Sequence, residues 1–210
     1  LEFRRVLFRS KARKRIPHFA WEYLDSATGD ESTLHRNRSA LDAIHFVPRG
    51  LRGEIKPQLA TEFLGKSYSA PFGIAPVGMS GLMWPGAEKT LAGFAAGAKI
   101  PYGMSTVATT TPEDVAPFLG DMGWFQMYPP RDEAIRNDMI QRVKNAGFTT
   151  LVVTIDVPAQ SRRERQIRGG LVQPPRLTPR ILAQVAGCPE WALRTALNGK
   201  PRMKMIETYG

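Results

Sequence analysis

Four short apolar runs of this chain end in groups able to hydrogen-bond, and that spacing is the first chemical signal. IPYGMST (100–106) ends in Ser105 and Thr106, GWFQMY (123–128) in Gln126 and Tyr128, and TTLVVTID (149–156) in Thr154 and Asp156. The run PFGIAPVGM (71–79) ends in Pro76, Val77 and Gly78, which offer bare backbone. An amide such as Gln126, set between Phe125 and Met127, is costly to bury unpaired, so it requires a partner. Ser, Thr and Asp in such places also cap the helix that follows, and both readings stand at this point. Four tips around one axis favour a flat ligand with a hydrogen-bonding edge.

The elements that must position these tips alternate with helices. GAEKTLAGFAAGAK (86–99) follows the first run. TTPEDVAPFL (110–119) follows the second, with Thr111 as N-cap, Pro112 at the first helical position and acids in the first turn. DEAIRNDMIQRVKNAG (132–147) follows the third, with Ile135, Met139, Ile140 and Val143 on one stripe and Gly147 as the stop. Near-continuous apolar strands alternating with helices predict a parallel sheet covered by helices. The turn after GIAPVG lacks the G-x-G-x-x-G spacing of a dinucleotide fold. The expected class is therefore α/β, a TIM (β/α)8 barrel of which about four units are present. A complete barrel takes eight units and ~250 residues, so the chain reads as its first half, truncated. The open edges of such a half are an aggregation liability.

The expected division has four parts. Residues 1–10 carry neither cap chemistry nor clear periodicity and read as a non-native scar, with a basic targeting arm as the alternative. Residues 11–70 form helices and a hairpin capping the N-terminal side of the barrel, 71–175 the barrel units, and 176–210 a basic insert. The net charge of +10 is confined. Residues 1–15 hold seven basic side chains against Glu2, and 162–204 hold ten against Glu164 and Glu190, so the remainder is net acidic at −4. Two patches of this kind are not a whole-surface nucleic-acid footprint. Trp84, Trp124 and Trp191 fall in different elements and make no stacking platform. A non-enzymatic basic module that binds nucleic acid or a membrane is the alternative of another class. The one cysteine, Cys188, fits a reducing cytoplasm. His18, His35 and His45 lack a second ligand at metal spacing, so no metal site is expected.

The stretches FAWEYLDSATGDESTL, NRSALD…FVPRGL, FLGKSYSAPFGIAPVGMSGLMWPGAE, WFQMY and VVTIDVPAQSRRERQIRGG resemble the FMN-dependent 2-hydroxy-acid oxidising family. That family includes glycolate oxidase, L-lactate dehydrogenase and mandelate dehydrogenase. The likeness runs from about Ala12 to about Thr178, with five motifs in order. It implies that the backbone of Pro76, Val77 and Gly78 packs on the flavin ring, and that Ser105, Gln126 and Thr154 hydrogen-bond its pyrimidine edge. It also implies that Tyr23, Tyr128 and Arg163 hold the substrate's carboxylate and hydroxyl, Tyr128 having a catalytic part. The residue chemistry suits these roles. A planar guanidinium grips a carboxylate through two prongs, phenols orient while presenting an apolar body, and a glycine lets a ring approach the backbone. Tyr23 also reads as a core aromatic beside Phe19 and Trp21, and Arg163 as part of a solvated charge run. The choice of Arg163 over Arg162 rests on the resemblance alone. Asp156 reads as structural.

The implied reaction is FMN-dependent oxidation of an L-2-hydroxy acid, with L-lactate the first candidate and mandelate or glycolate the alternatives. Many oxidases of the family carry alanine where this chain has Gly78, which favours a dehydrogenase passing electrons to quinone or another acceptor. The resemblance places a histidine base, a lysine and a second arginine in the family's C-terminal half, so these 210 residues alone are expected to be inert and to bind FMN weakly. The insert 176–205 pairs an apolar face of Ile181, Leu182 and Val185 with a second helix opened by Pro189 and closed at Asn198-Gly199. Its basic surround is the composition of a segment lying in a membrane interface. The expected location is cytoplasmic, peripheral on the inner membrane, in a homo-oligomeric parent. A loop over the barrel mouth with a solvated basic rim is the other reading of the insert.

Overall fold

The computed structural model describes residues 2–54, 56–155, 161–171 and 178–210. Three parallel strands, β3 (Tyr102–Ser105), β4 (Gly123–Met127) and β5 (Thr150–Val153), lie side by side in chain order. The register pairs Ser105 with Gln126 and Gln126 with Val152. Each strand is short and follows a helix: α5 (Ala87–Ala98), α6 (Pro112–Leu119) and α7 (Glu133–Asn145). The caps form as the sequence indicates, with the Thr111 hydroxyl accepting from the Asp114 N–H at 3.2 Å. Asp132 receives the Ala134 and Ile135 N–H groups at 2.8 and 3.2 Å.

Alternation along the pleat sorts the side chains into two sets. Tyr102, Met104, Phe125 and Met127 join Val115, Leu119, Met139 and Val143 in the main core, beneath the helices. Gly103, Trp124 and Val152 occupy the opposite face and line an open hollow of about 440 Å³, together with Phe63, Ile74 and Pro76. A hairpin, β1 (Thr61–Phe63) and β2 (Lys66–Tyr68), turns through Leu64 and Gly65, both at positive φ. It packs on the N-terminal end of β4, where Phe63 stacks over Trp124 at 5.8 Å and the Trp124 indole N–H donates to the Tyr68 hydroxyl at 3.0 Å.

Three features depart from the sequence expectation. The first apolar run makes a single parallel bridge, Ile74 to Tyr102, and no extended strand. Pro71, Pro76 and Pro101 lack the N–H groups that a longer ladder needs. Residues 2–10 belong to a helix: α1 spans Glu2–Arg15, and Arg9 grips Asp25 through contacts of 2.7 to 3.0 Å. The segment is rich in Arg, Leu and Lys and holds no glycine or proline, so helix is its low-cost state once one end is anchored. Finally, residues 11–70 do not all cap the N-terminal side. Helix α2 (His18–Asp25) lies at the C-terminal end of the strands, beside α4 (Ser80–Met83) and α8 (Glu164–Gly169). Helix α3 (Ser32–Asp42) follows it with no buried residue.

The basic segment folds as α9 (Pro179–Ala186) and α10 (Pro189–Asn198), followed by a turn of helix, α11 (Lys204–Glu207). Its apolar residues split into inward and outward sets. Ile181 and Trp191 enter a second core with Phe19, Ala20, Trp21 and Leu82, and the Trp191 indole N–H donates to the Leu82 carbonyl at 3.0 Å. Leu182, Leu193 and Leu197 point to solvent, 55, 63 and 78% exposed.

Candidate functional site

The strand tips converge. Gln126 lies buried at the end of β4, between Ser105 on β3 and Thr154 just past β5. The Ser105 hydroxyl donates to Gln126 Oε1 at 2.9 Å, and Gln126 Nε2 donates to Thr154 Oγ1 at 2.7 Å. The register sets Ser105 beside Gln126 and leaves Thr154 two residues past Val152, the partner of Gln126, so the long amide spans from one hydroxyl to the other. The ladder leaves capacity unused, since an amide offers two donors and a two-lone-pair oxygen and Thr154 keeps its own O–H. One face therefore presents alternating donors and acceptors.

Beside the ladder runs the Pro76–Gly78 backbone, with Val77 43% exposed. Two glycines hold it there. A Cβ on Gly103 would sit 2.7 Å from Pro76 Cδ, and one on Gly78 would sit 2.6 Å from Val107 Cγ2. Sequence reasoning missed the buried carboxylate behind this turn. Glu88 Oε1, in the first turn of α5, accepts from the Gly81 N–H at 3.2 Å, the Thr109 N–H at 2.9 Å and the Thr109 hydroxyl at 2.7 Å. That single oxygen ties the loop after Gly78 to the loop after β3. Its only signal in the sequence is an acid in a helix's first turn, which is an everyday feature.

Tyr23 projects from α2 into the same region and donates to the Gly78 carbonyl at 3.2 Å. Tyr23 also packs against the second core beside Phe19 and Trp21, but it is half-buried where they are buried, so its ring serves the core while its hydroxyl reaches the turn. Burial pushes the Tyr23 phenol up from its ordinary pKa, the Arg163 charge pulls it down, and Tyr128 pushes it up again. Arg163 and Tyr128 thus each lie within electrostatic reach of Tyr23. Tyr128 is exposed, and its backbone N–H donates to Thr106 Oγ1 at 3.1 Å. The Thr106 hydroxyl in turn donates to the Gln126 carbonyl at 2.6 Å. Arg163 is exposed just before α8, and its Nε donates to the Ser161 hydroxyl at 3.4 Å. Asp156 lies outside the described residues. His18, His35 and His45 stand in the first turn of α2, on α3 and just after it, all exposed. Among the described residues no group of three or more His, Cys, Asp or Glu side chains is placed to hold a metal ion.

Two surfaces thus meet: a neutral donor–acceptor edge with bare backbone beside it, and a rim of two phenols and a guanidinium. The edge matches a planar heterocycle bearing an imide, and the rim matches a carboxylate with an adjacent hydroxyl.

Residues 12–209 match the model of the family described as FMN-dependent dehydrogenase. An L-lactate dehydrogenase of Vibrio parahaemolyticus is 36% identical over 203 residues, which are 96% of this chain and 53% of that protein. One of Xanthomonas campestris is also 36% identical, with 52% of its length covered. The chain spans about half the length of these curated relatives. Among solved structures, (S)-mandelate dehydrogenase, described as a monotopic membrane protein, superposes with a TM-score of 0.86 at 30% identity over 96% of this chain and 57% of the other. A mandelate oxidase with 3,3-difluoro-2-hydroxy-3-phenylpropionic acid superposes with a TM-score of 0.73 at 29% identity, covering 87% of this chain and 56% of the other.

Proposed function

The chain belongs to the FMN-dependent dehydrogenase family, and from that premise we propose that it supplies the flavin-edge and substrate-rim residues for oxidation of an L-2-hydroxy acid, L-lactate foremost, to the 2-oxo acid. The observation that carries this reading is the Ser105–Gln126–Thr154 ladder with its unused donors and acceptors. The same three residues would hold the imide edge of the isoalloxazine, and Pro76, Val77 and Gly78 would lie against the ring. Bound FMN supplies the acceptor for the hydride leaving the substrate's α-carbon. Arg163 and Tyr23 hold the substrate carboxylate, the guanidinium through a charged two-pronged contact. Tyr128 orients the α-hydroxyl, its backbone set by Thr106. Burial keeps the Tyr23 phenol protonated and therefore a donor at neutral pH. L-Lactate is favoured over mandelate by the names of the curated relatives.

Spectral titration of the full-length FMN-loaded protein that carries this chain, with L-lactate, (S)-mandelate and glycolate, tests the reading. L-Lactate should bleach the flavin at the lowest concentration; a loaded protein that no 2-hydroxy acid bleaches would overturn it.

The outward Leu182, Leu193 and Leu197 lie among exposed Arg180, Lys200 and Arg202. No helix among the described residues is long and apolar enough to cross a membrane. Peripheral docking on an anionic inner-membrane surface, with quinone as electron acceptor, is the reading this patch supports. Co-sedimentation with anionic vesicles should drop sharply when Arg180, Arg194, Lys200 and Arg202 are neutralised, and an unchanged result counts against docking.

A further inference from the structure

Of the four arginines in 162–168, one points away from the rim and into a nest of acids. Arg165 Nε meets Glu22 Oε2 at 2.7 Å, its Nη2 meets Asp25 Oδ2 at 3.3 Å, and its Nη1 meets Glu31 Oε1 at 2.9 Å. Glu22 and Asp25 bracket Tyr23 along α2, and Arg163 lies two residues before Arg165. One guanidinium therefore spans the two elements that carry the carboxylate-holding pair. Other contacts follow the same seam. The Gly29 N–H donates to the Arg162 carbonyl at 3.0 Å, and a Cβ on Gly169 would come within 3.2 Å of Glu22 Cγ.

Glu31 adds a second, independent sign that the clamp is held under load. It is a non-glycine residue at φ +63°, in the left-handed region. Such a conformation persists where the surroundings over-determine it. Its carboxylate accepts from the Ala27 N–H at 3.0 Å while facing Arg165, and both contacts hold the acid below the ordinary carboxylate range. A planar fork can address three carboxylates at once, which an ammonium point charge cannot do with the same geometry.

We infer that Arg165 is a positioning residue: by pinning α8 to α2 and to the Glu31 turn, it sets the spacing between the Tyr23 hydroxyl and the Arg163 guanidinium and so the grip on a substrate carboxylate. This rests on the reading of Tyr23 and Arg163 as the carboxylate-holding pair. Arg165 itself touches neither substrate nor flavin.

The test compares Arg165→Met, Arg165→Lys and Arg163→Met in the full-length FMN-loaded protein that carries this chain, with L-lactate as substrate. Arg165→Met should raise KM by about tenfold, the scale of a single charge-assisted hydrogen bond to the substrate, while kcat changes less and FMN retention is unchanged. Arg165→Lys should recover only part of that affinity. A readout independent of turnover is the ultraviolet titration of Tyr23, isolated by difference against Tyr23→Phe. Release of Arg163 should move it to higher pH. Unchanged KM together with an unchanged Tyr23 titration in folded Arg165→Met overturns the inference. If Arg165→Met does not fold, Glu31→Gln removes one arm of the clamp; a smaller shift of the same sign supports the inference and no shift opposes it. An Arg163→Met protein with unaltered KM would instead sink the substrate-rim reading, leaving the Tyr23 titration to decide on Arg165.

Discussion

The proposed flavin edge and the proposed substrate rim are built on opposite principles. The edge is neutral, largely buried and set at the strand ends, with Ser105, Gln126 and Thr154 joined within a 50-residue stretch. The rim carries a charge and is partly exposed, with Tyr23 on α2, Tyr128 just past β4 and Arg163 just before α8, and its clamp joins Arg165 to Glu22 across the chain. A planar, uncharged ring edge demands donors fixed in one plane, and parallel strands fix them through backbone register. A small anionic substrate demands positive potential and room to enter, and helices tied by ion pairs allow both. Changes to the first region should therefore act through packing and unsatisfied polar groups, and changes to the second through charge.

The largest effect should come from the buried acid behind the edge. Glu88→Leu strips one oxygen from three donors, which should cost about 3 kcal/mol or more of stability in denaturant unfolding. FMN retention should fall with it. Gln126→Leu should cost about 1–3 kcal/mol through the hydroxyls left without their amide, with FMN affinity falling by an order of magnitude in a fluorescence titration. If flavin affinity survives, the edge is not where the ring binds. Gly103→Ala drives a methyl into Pro76 and should cost roughly 1–3 kcal/mol by overpacking. It should disturb the Pro76–Gly78 backbone while leaving amide exchange in α8 intact, and a coupled change in both would erase the distinction between the two regions.

Acid sharpens the comparison further. Glu31 sits below its ordinary pKa, first through the Ala27 N–H and then through Arg165. A depressed acid stabilises the folded state above the ordinary carboxylate range, and that contribution disappears as pH falls through the lowered value. Amide exchange in α8 should therefore quicken between about pH 5 and about pH 3. Exchange in β4 should hold longer, because the ladder contains no group that titrates there. A smaller effect is expected at Arg142, a half-buried cation that joins α7 to α6 through two contacts with Glu113 and also donates to the Tyr209 hydroxyl at 3.1 Å. Arg142→Met should cost about 1 kcal/mol in thermal unfolding and leave both regions unchanged.

The strand tips were legible because the polar end of an apolar run is a local feature, whereas the register that brings Thr154 to Gln126 from two residues beyond Val152 is not. Thr111, Pro112 and Gly147 marked helix ends for the same reason. The clamp was not legible. Nothing in SRRER separates Arg163 from Arg162 or Arg165, since in the sequence all three are equivalent cations in a polar run. Helix α1 escaped notice because its propensity is realised only through anchors such as Arg9 on Asp25.

By itself the sequence determined the alternation of strands and helices, the caps between them, and which side chains stand at the strand ends. Those depend on backbone hydrogen bonding and on spacing within a dozen residues. The tertiary structure alone decided that α2 reaches the C-terminal end of the sheet, that Tyr23 meets Gly78, that the first run forms one bridge rather than a strand, and that Leu182 faces out while Ile181 faces in. Each of these turns on contacts between segments distant in the chain, whose free energies are individually small and settle only when the whole surface is buried together.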